Sequence, residues 1–291
     1  FDFEKNFIHH LSSPLPYRRS NDQTPEQFCD FLVREFEDKI RELGSENVAA
    51  FIAEPVLASG GCIVPPEGYY KKIYDVCKKN EIIFIADEVV TGFGRLGHFF
   101  SSEEVFGVVP DIITCAKGIT SGYLPLGAVL FSDKLIGDLK HDSSLFFHGY
   151  TYSGHPACCA AALKNIEILK RDKILEHVRE IEPYFFEKLN TLYELPIVGD
   201  IRGKGLMAGI ECVINKNSKE ALILDKAIGS RIDEESIKLG LIIRPLYHIC
   251  VLSPALIITK NQIDDLTEKL YLAISNTIDQ LQKEGLWSSQ K

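Results

Sequence analysis

The chain has 291 residues, enough for one large core or for two domains of ordinary size. Its formal net charge of -9 argues against nucleic acid as a partner, because phosphate binding needs a basic face. No apolar run approaches the roughly 20 residues of a membrane span, and the N-terminus carries no basic-then-apolar signal pattern. The eight cysteines include no CxxC pair and no small-scaffold spacing, so reduced thiols in a cytoplasmic protein are expected. The sequence starts at Phe1 and its only methionine is Met207, so residues are expected to be missing before Phe1.

Two apolar runs, Val48 to Ala53 and Ile82 to Ala86, read as buried parallel strands, each ending in an acid, Glu54 and Asp87. A helical stretch from about Glu67 to Asn80 lies between them, with Pro65-Pro66 at its start. Asp111 to Cys115 and Gly127 to Phe131 read as two more strands. Strands alternating with helices imply an α/β sheet, mainly parallel, with helices on both faces. After Pro156 the pattern changes: Ala157 to Arg171 and Ile174 to Asn190 read as successive helices. Short strands are expected around Leu206 to Cys212, Leu241 to Arg244 and Cys250 to Leu252, with helices at Asp225 to Leu239 and Gln262 to Gln282. The division expected is a large-domain part over residues 1–172 and a smaller C-terminal α+β domain over 173–291.

The chemistry gathers at strand ends. Asp87 opens Asp87-Glu88-Val89-Val90-Thr91-Gly92-Phe93-Gly94-Arg95, and Lys117 lies in Cys115-Ala116-Lys117-Gly118. Both follow predicted parallel strands, where open α/β sheets collect their ligands. A single lysine at a strand end is usually a surface ammonium. An acid and a lysine at two such ends, each near glycine, suit a cofactor that needs both a carboxylate and an amine. Pyridoxal phosphate is such a cofactor: the amine binds its aldehyde, and the carboxylate keeps the pyridine nitrogen protonated. Lys117, once displaced by a substrate amine, is then the natural base and acid for proton movement.

Other readings of the same residues are weaker. Gly92-Phe93-Gly94-Arg95-Leu96-Gly97 formally matches GxGxxG. A dinucleotide loop, however, turns at once into a helix, and here Asp87 to Thr91 intervene between strand and glycines. His9-His10, His148 and His155 fall at no metal-ligand spacing, and no metal site is expected. Vicinal Cys158-Cys159 on a helix reads as small-residue packing.

Residues 48–160 resemble the class III, fold-type I, pyridoxal-phosphate-dependent aminotransferases. The matching segments are FIAEPV, PPEGYY, FIADEVVTGFGR, PDIITCAKGITSGYLPLGAV and HGYTYSGHP, in the family's order and spacing. The resemblance implies that Lys117 is the Schiff-base residue and that Asp87 contacts the pyridine nitrogen. It implies that Val89 packs on the ring, and that Thr151 reaches the cofactor phosphate of a neighbouring subunit in a homodimer.

Three departures bear on the branch. Members of the ornithine, acetylornithine and 4-aminobutyrate type usually carry Gln, Glu and Arg where this chain has Val90, Ser59 and Val251. Arg244, in GLIIRPLYHICVLSPAL, stands at the position of the mobile arginine of the ω-amino-acid:pyruvate aminotransferases, although Tyr247-His248 replaces Gly-Asp and Pro254-Ala255 replaces Pro-Pro. A guanidinium that swings in to grip a carboxylate suits a pocket that takes an amine donor and then a 2-oxo acid such as pyruvate. Full-length relatives are roughly half as long again. Two functions therefore stay open. One is a pyridoxal-phosphate-dependent aminotransferase acting on small-molecule amine donors and 2-oxo acid acceptors. The other is a truncated, inactive relative with a structural or regulatory role.

Overall fold

The computed structural model describes residues 7–139, 147–221 and 227–288. The first sheet has four strands, β1 (Ala50–Ala53), β2 (Ile83–Asp87), β3 (Ile112–Cys115) and β4 (Ala128–Phe131), in that spatial order. β1, β2 and β3 run parallel, and β4 closes the sheet antiparallel to β3. The connection between β3 and β4 carries only the 3-10 turn Lys117–Thr120 and no crossover helix to return the chain to the far end of the sheet, and β4 runs back antiparallel.

One face of this sheet is covered by α1 (Pro25–Leu43) and α2 (Tyr69–Lys79). From α1, Phe28, Leu32, Phe36 and Ile40 recur along one face and meet Tyr70, Ile73 and Cys77 of α2 over the buried Phe84 and Ala86. α1 has no counterpart among the elements expected from the sequence, yet its start is well signalled. Thr24 and Gln27 form a reciprocal capping box, with Pro25 at the first helical position.

The other face is less covered than helices on both faces would require. The strand register sets Ile52, Ile85, Ile112 and Phe131 in one cross-strand row. Ile52 is 60% exposed, and Val129 in the next row is 53% exposed. β1 is thus an edge strand whose side chains alternate between cover and solvent rather than a fully buried one.

The second sheet is antiparallel, with strand order β5 (Val198–Lys204), β6 (Met207–Asn215), β9 (Ile249–Leu252) and β8 (Arg244–Leu246), while the short β7 (Glu220–Ala221) pairs with β6. It packs against α6 (Ile174–Asn190), α7 (Ile228–Lys238) and α8 (Lys260–Lys283) around Phe185, Leu189, Ile210, Ile232, Leu270 and Ile274. The short α3 (Ser101–Glu104) lies between β2 and β3, α4 (Asp133–Leu139) follows β4, and α5 (Pro156–Arg171) leads from the first sheet into the second layer. The expected helix start at Asp225 lies outside the described residues. The strand expected at Leu241 to Arg244 falls instead on Arg244–Leu246, and β5 had no counterpart in the sequence reading because its Gly- and charge-rich text, VGDIRGK, lacks the apolar alternation of a strand.

The two sheets share packing. Val56 and Cys62 from the loop after β1, and Leu96 from the loop after β2, cluster with Met207, Ile249 and Val251. A buried ionic group reinforces the joint. Arg202 donates through Nε to the Gly61 carbonyl at 2.8 Å and through Nη1 to Glu211 Oε2 at 2.6 Å and Asp200 Oδ2 at 2.8 Å. Arg18, from the turn Pro16–Arg18, also pairs with Glu211, and His248 Nε2 lies 3.5 Å from Glu211 Oε1. Burial alone would raise the Glu211 carboxyl, but the hydrogen bond with His248 and the charges of Arg202 and Arg18 outweigh it. The carboxyl is held down to about 2.

Because the folded value lies below the ordinary 4.5, this contribution is complete above about pH 5 and disappears as the pH falls toward about 2. Glu211→Gln should remove it at neutral pH, leaving the buried Arg202 with Asp200 as its remaining carboxylate, at a cost of about 3 kcal/mol. Urea unfolding at pH 7 and at pH 3 measures both effects. A variant as stable as the parent at pH 7 would show the cluster to be neutral.

Candidate active site

Asp87 is the last residue of β2 and faces the less-covered side of the sheet, in the row with Thr114 and Val129. Its Oδ1 accepts from the Val89 backbone N at 3.0 Å, a local turn that aims the carboxylate beyond the strand end. Oδ2 has no hydrogen bond among the described residues. Val89 is half-buried beside it.

Lys117 begins the one-turn 3-10 helix Lys117–Thr120 that follows β3. Its φ of 42° lies in the left-handed region, which costs a lysine roughly 1–2 kcal/mol. Tertiary contacts hold that conformation. Asn165 of α5 donates to the Gly118 carbonyl at 2.9 Å and to the Ile119 carbonyl at 3.1 Å, while Ser121 Oγ donates to Asn165 Oδ1 at 2.7 Å. The Lys117 ammonium is exposed, with no ion pair or hydrogen bond among the described residues.

Glu54, directly after β1, completes this corner. Its Oε2 accepts from the Ala58 backbone N at 3.0 Å. Burial raises the Glu54 carboxyl, the negative charge of Asp87 adds to the rise, and Lys117 opposes it. Three successive parallel strand ends thus present two acids and an amine to one region. The only sequence signal for Glu54 was its place as the acid that ends a strand.

Lys117 opens onto a cleft of about 1050 Å³ between the two sheets. Arg244, exposed at the start of β8, lines the same cleft, as do Ser59, Val90 and Val251. The three positions Ser59, Val90 and Val251 are far apart in sequence, and the fold brings them to one cleft. Asp87 and Glu54 instead line an adjoining groove of about 580 Å³ along β1. Thr151 is exposed in the turn before α5 and lies outside the cleft lining, between Tyr150 and Tyr152, which are 79% and 80% exposed.

Two sequence features take on structural roles. The glycine run Gly92 to Gly97 folds back on itself, with Phe93 N donating to Phe99 O at 2.8 Å and Gly94 N to His98 O at 2.9 Å. It opens no helix and makes no dinucleotide cradle. Tyr247-His248 forms the β8–β9 turn: Tyr247 takes a φ of 53°, where glycine is at ease, and His248 turns in toward Glu211.

The floor of the cleft is fixed by Arg95. Its Nη1 donates to the carbonyls of Leu206 and Pro254, each at 2.7 Å, and its own carbonyl accepts from Leu206 N at 3.0 Å. Burial lowers the guanidinium to about 10. Gly205 makes this approach possible, since a Cβ there would lie 2.3 Å from the Arg95 carbonyl oxygen.

A parallel-led α/β sheet with an amine and a carboxylate at adjacent strand ends, beside a second antiparallel layer, is the fold-type I architecture of the pyridoxal-phosphate-dependent transaminases. The profile of the family Aminotransferase class-III matches residues 2–274, and the chain belongs to that family, whose cofactor is pyridoxal phosphate. It is 43% identical to a putrescine–pyruvate aminotransferase of Pseudomonas aeruginosa over 266 residues, which is 91% of this chain and 58% of that protein. An (S)-enantioselective ω-transaminase from Thermomicrobium roseum superposes with a TM-score of 0.88 at 42% identity, over 93% of this chain and 60% of that one. An aminotransferase from Vibrio fluvialis in its PMP-bound form gives 0.87 at 37% identity, over 93% and 60%. The chain therefore spans about 60% of the length of these relatives.

Gly205→Ala should force the Arg95–Leu206 joint apart, at a cost of about 2–3 kcal/mol. Denaturant unfolding tests this, and an unchanged midpoint would mean that the sheets are held together elsewhere.

Proposed function

We propose that the full-length protein is an aminotransferase that moves an amino group from an amine or ω-amino acid to a 2-oxo acid such as pyruvate. The observation that carries this reading is the single cleft shared by Lys117, Arg244, Ser59, Val90 and Val251. It joins an amine to a movable cation, with uncharged residues where other branches place polar groups. The residues present suit the cofactor. A left-handed, unpaired lysine and a carboxylate with one free oxygen stand at neighbouring strand ends.

When bound, pyridoxal phosphate supplies an aldehyde and an electron-accepting ring. Lys117 Nζ would hold the cofactor through its aldehyde, and as a free amine it would serve as the base and then the acid for the proton at the substrate Cα. Asp87 Oδ2 would accept from the ring nitrogen, its charge favouring the protonated form. Val89 would pack against the ring. Arg244 closes on the carboxylate of the 2-oxo acid by two parallel N–H bonds and swings out for an amine that lacks one.

Three further assignments belong to this reading. The working unit is a homodimer, with Thr151 donating to the cofactor phosphate of the partner. The exposed Tyr150 and Tyr152 around it suit an interface. Functional division falls at residues 172 and 173, between the cofactor-binding part and the C-terminal small domain. The compartment is the cytoplasm, with which eight free thiols agree.

Borohydride reduction of the full-length protein with pyridoxal phosphate should leave a pyridoxyl group on Lys117, and Lys117→Ala should abolish it. A label on another lysine overturns the assignment, and no label at all favours the inactive relative. Asp87→Asn should keep the cofactor bound but slow single turnover by orders of magnitude, and a near-parental rate would reduce Asp87 to a strand-end acid. Arg244→Ala should lower kcat/KM for pyruvate about tenfold to a hundredfold, the equivalent of roughly 1.5–3 kcal/mol of charge-assisted bonding. A simple arylalkyl amine should react nearly as before. Equal losses in both half-reactions would make Arg244 structural.

A further inference from the structure

We propose that Glu88 is a positioning residue for the Asp87–Lys117 pair, an inference that rests on the roles proposed above for those two residues. Glu88 is fully buried, and among the described residues no lysine or arginine pairs with it. Its carboxyl is instead held by three donors. Thr91 Oγ1 and Ser101 Oγ each donate to Oε2 at 2.6 Å, and the Ser102 backbone N donates to Oε1 at 2.6 Å. A buried carboxylate held by hydrogen bonds alone tolerates little displacement, because each lost donor leaves an unsatisfied group in a dry site.

The backbone carries this constraint outward in two directions. Glu88 N donates to Thr114 O of β3 at 2.8 Å, and Gly92 N donates to Glu88 O at 3.0 Å, so the turn after Asp87 is fastened at both ends. A Cβ on Gly92 would come 2.8 Å from Glu88 O, so the turn closes without spare space. The far side of this turn touches the lysine loop. A Cβ on Gly118 would lie 2.9 Å from Phe93 Cβ and 3.1 Å from Gly92 O. Gly118 sits against Phe93 Cβ and the Gly92 carbonyl with no spare space, so movement of the Glu88 turn passes directly to Gly118 and to the left-handed Lys117 beside it. One buried carboxylate therefore sets the spacing between the acid and the amine.

Glu88→Gln in the full-length protein tests this. The amide keeps the shape but sets N–H groups against donors, while Ser101→Ala keeps the carboxylate and removes one donor. Amide hydrogen exchange of the cofactor-free protein should accelerate about tenfold in Glu88→Gln, at residues 88–93 and 116–122 together, and less in Ser101→Ala. Residues 198–212 of the second sheet should not change. In the cofactor-loaded protein the pH midpoint of the visible absorption band should move by at least about half a unit in Ser101→Ala, where no ionisable group is lost and the shift reports altered spacing rather than a missing charge. Acceleration at 88–93 with 116–122 unchanged overturns the proposal, as does uniform acceleration across the chain or an unmoved midpoint. A borohydride label on a lysine other than Lys117 would instead overturn the underlying assignment, and the exchange data would still report the coupling between the two loops.

Discussion

The arrangement depends on one joint, where the loop after β2 meets the hairpin between β5 and β6. Arg95 and Leu206 exchange backbone and side-chain hydrogen bonds there, and Gly205 lets the two backbones come within contact distance. The joint places a burden on the chain, because a guanidinium held among carbonyls loses hydration without gaining a carboxylate. In return the two sheets stand at a fixed separation, and the cleft between them keeps a defined width. A second fastening lies further along the same seam, where Gly209 of β6 packs under Gly61 and Arg202 reaches the Gly61 carbonyl. Together they settle where Ser59 and Cys62 stand relative to Val251 and Arg244. Cys62 registers this crowding: burial drives its thiol up to about 12, although Arg202, Arg95 and Arg244 all pull it down.

Much of the fold was legible because its strands end in chemically marked residues. β1, β2 and β3 announce themselves as apolar runs, and α5, α6 and α8 as long amphipathic stretches. What escaped detection has physical reasons. α1 begins with capping signals that count for little until a helix is sought there. β5 is polar because its edge position and its ionic cluster ask for Asp200 and Arg202 rather than for an apolar stripe. The site divides in the same way. Asp87, Lys117, Val89 and Arg244 sit in recognisable local sequence, whereas the parts played by Glu54, Glu88 and Arg95 arise from contacts made in space. The partners of Arg95 lie 111 and 159 residues away in the chain. No local pattern encodes such a contact.

The shared cleft gives the branch argument a physical form. Ser59, Val90 and Val251 belong to three separate elements, and each departure taken alone is an ordinary exchange. All three line the cavity that Lys117 and Arg244 also line, so the exchanges bear on the charge and polarity of one shared space.

The sheet face that carries Ile52, Ile85 and Ile112 has a consequence for the protein in solution. Ile85 and Ile112, half-buried, lie in register behind the exposed Ile52, and backbone donors and acceptors stand at the border of that strip. Such an edge is a template for a further strand. The net charge of -9 opposes that pairing at long range, whereas Ile52 favours it on contact.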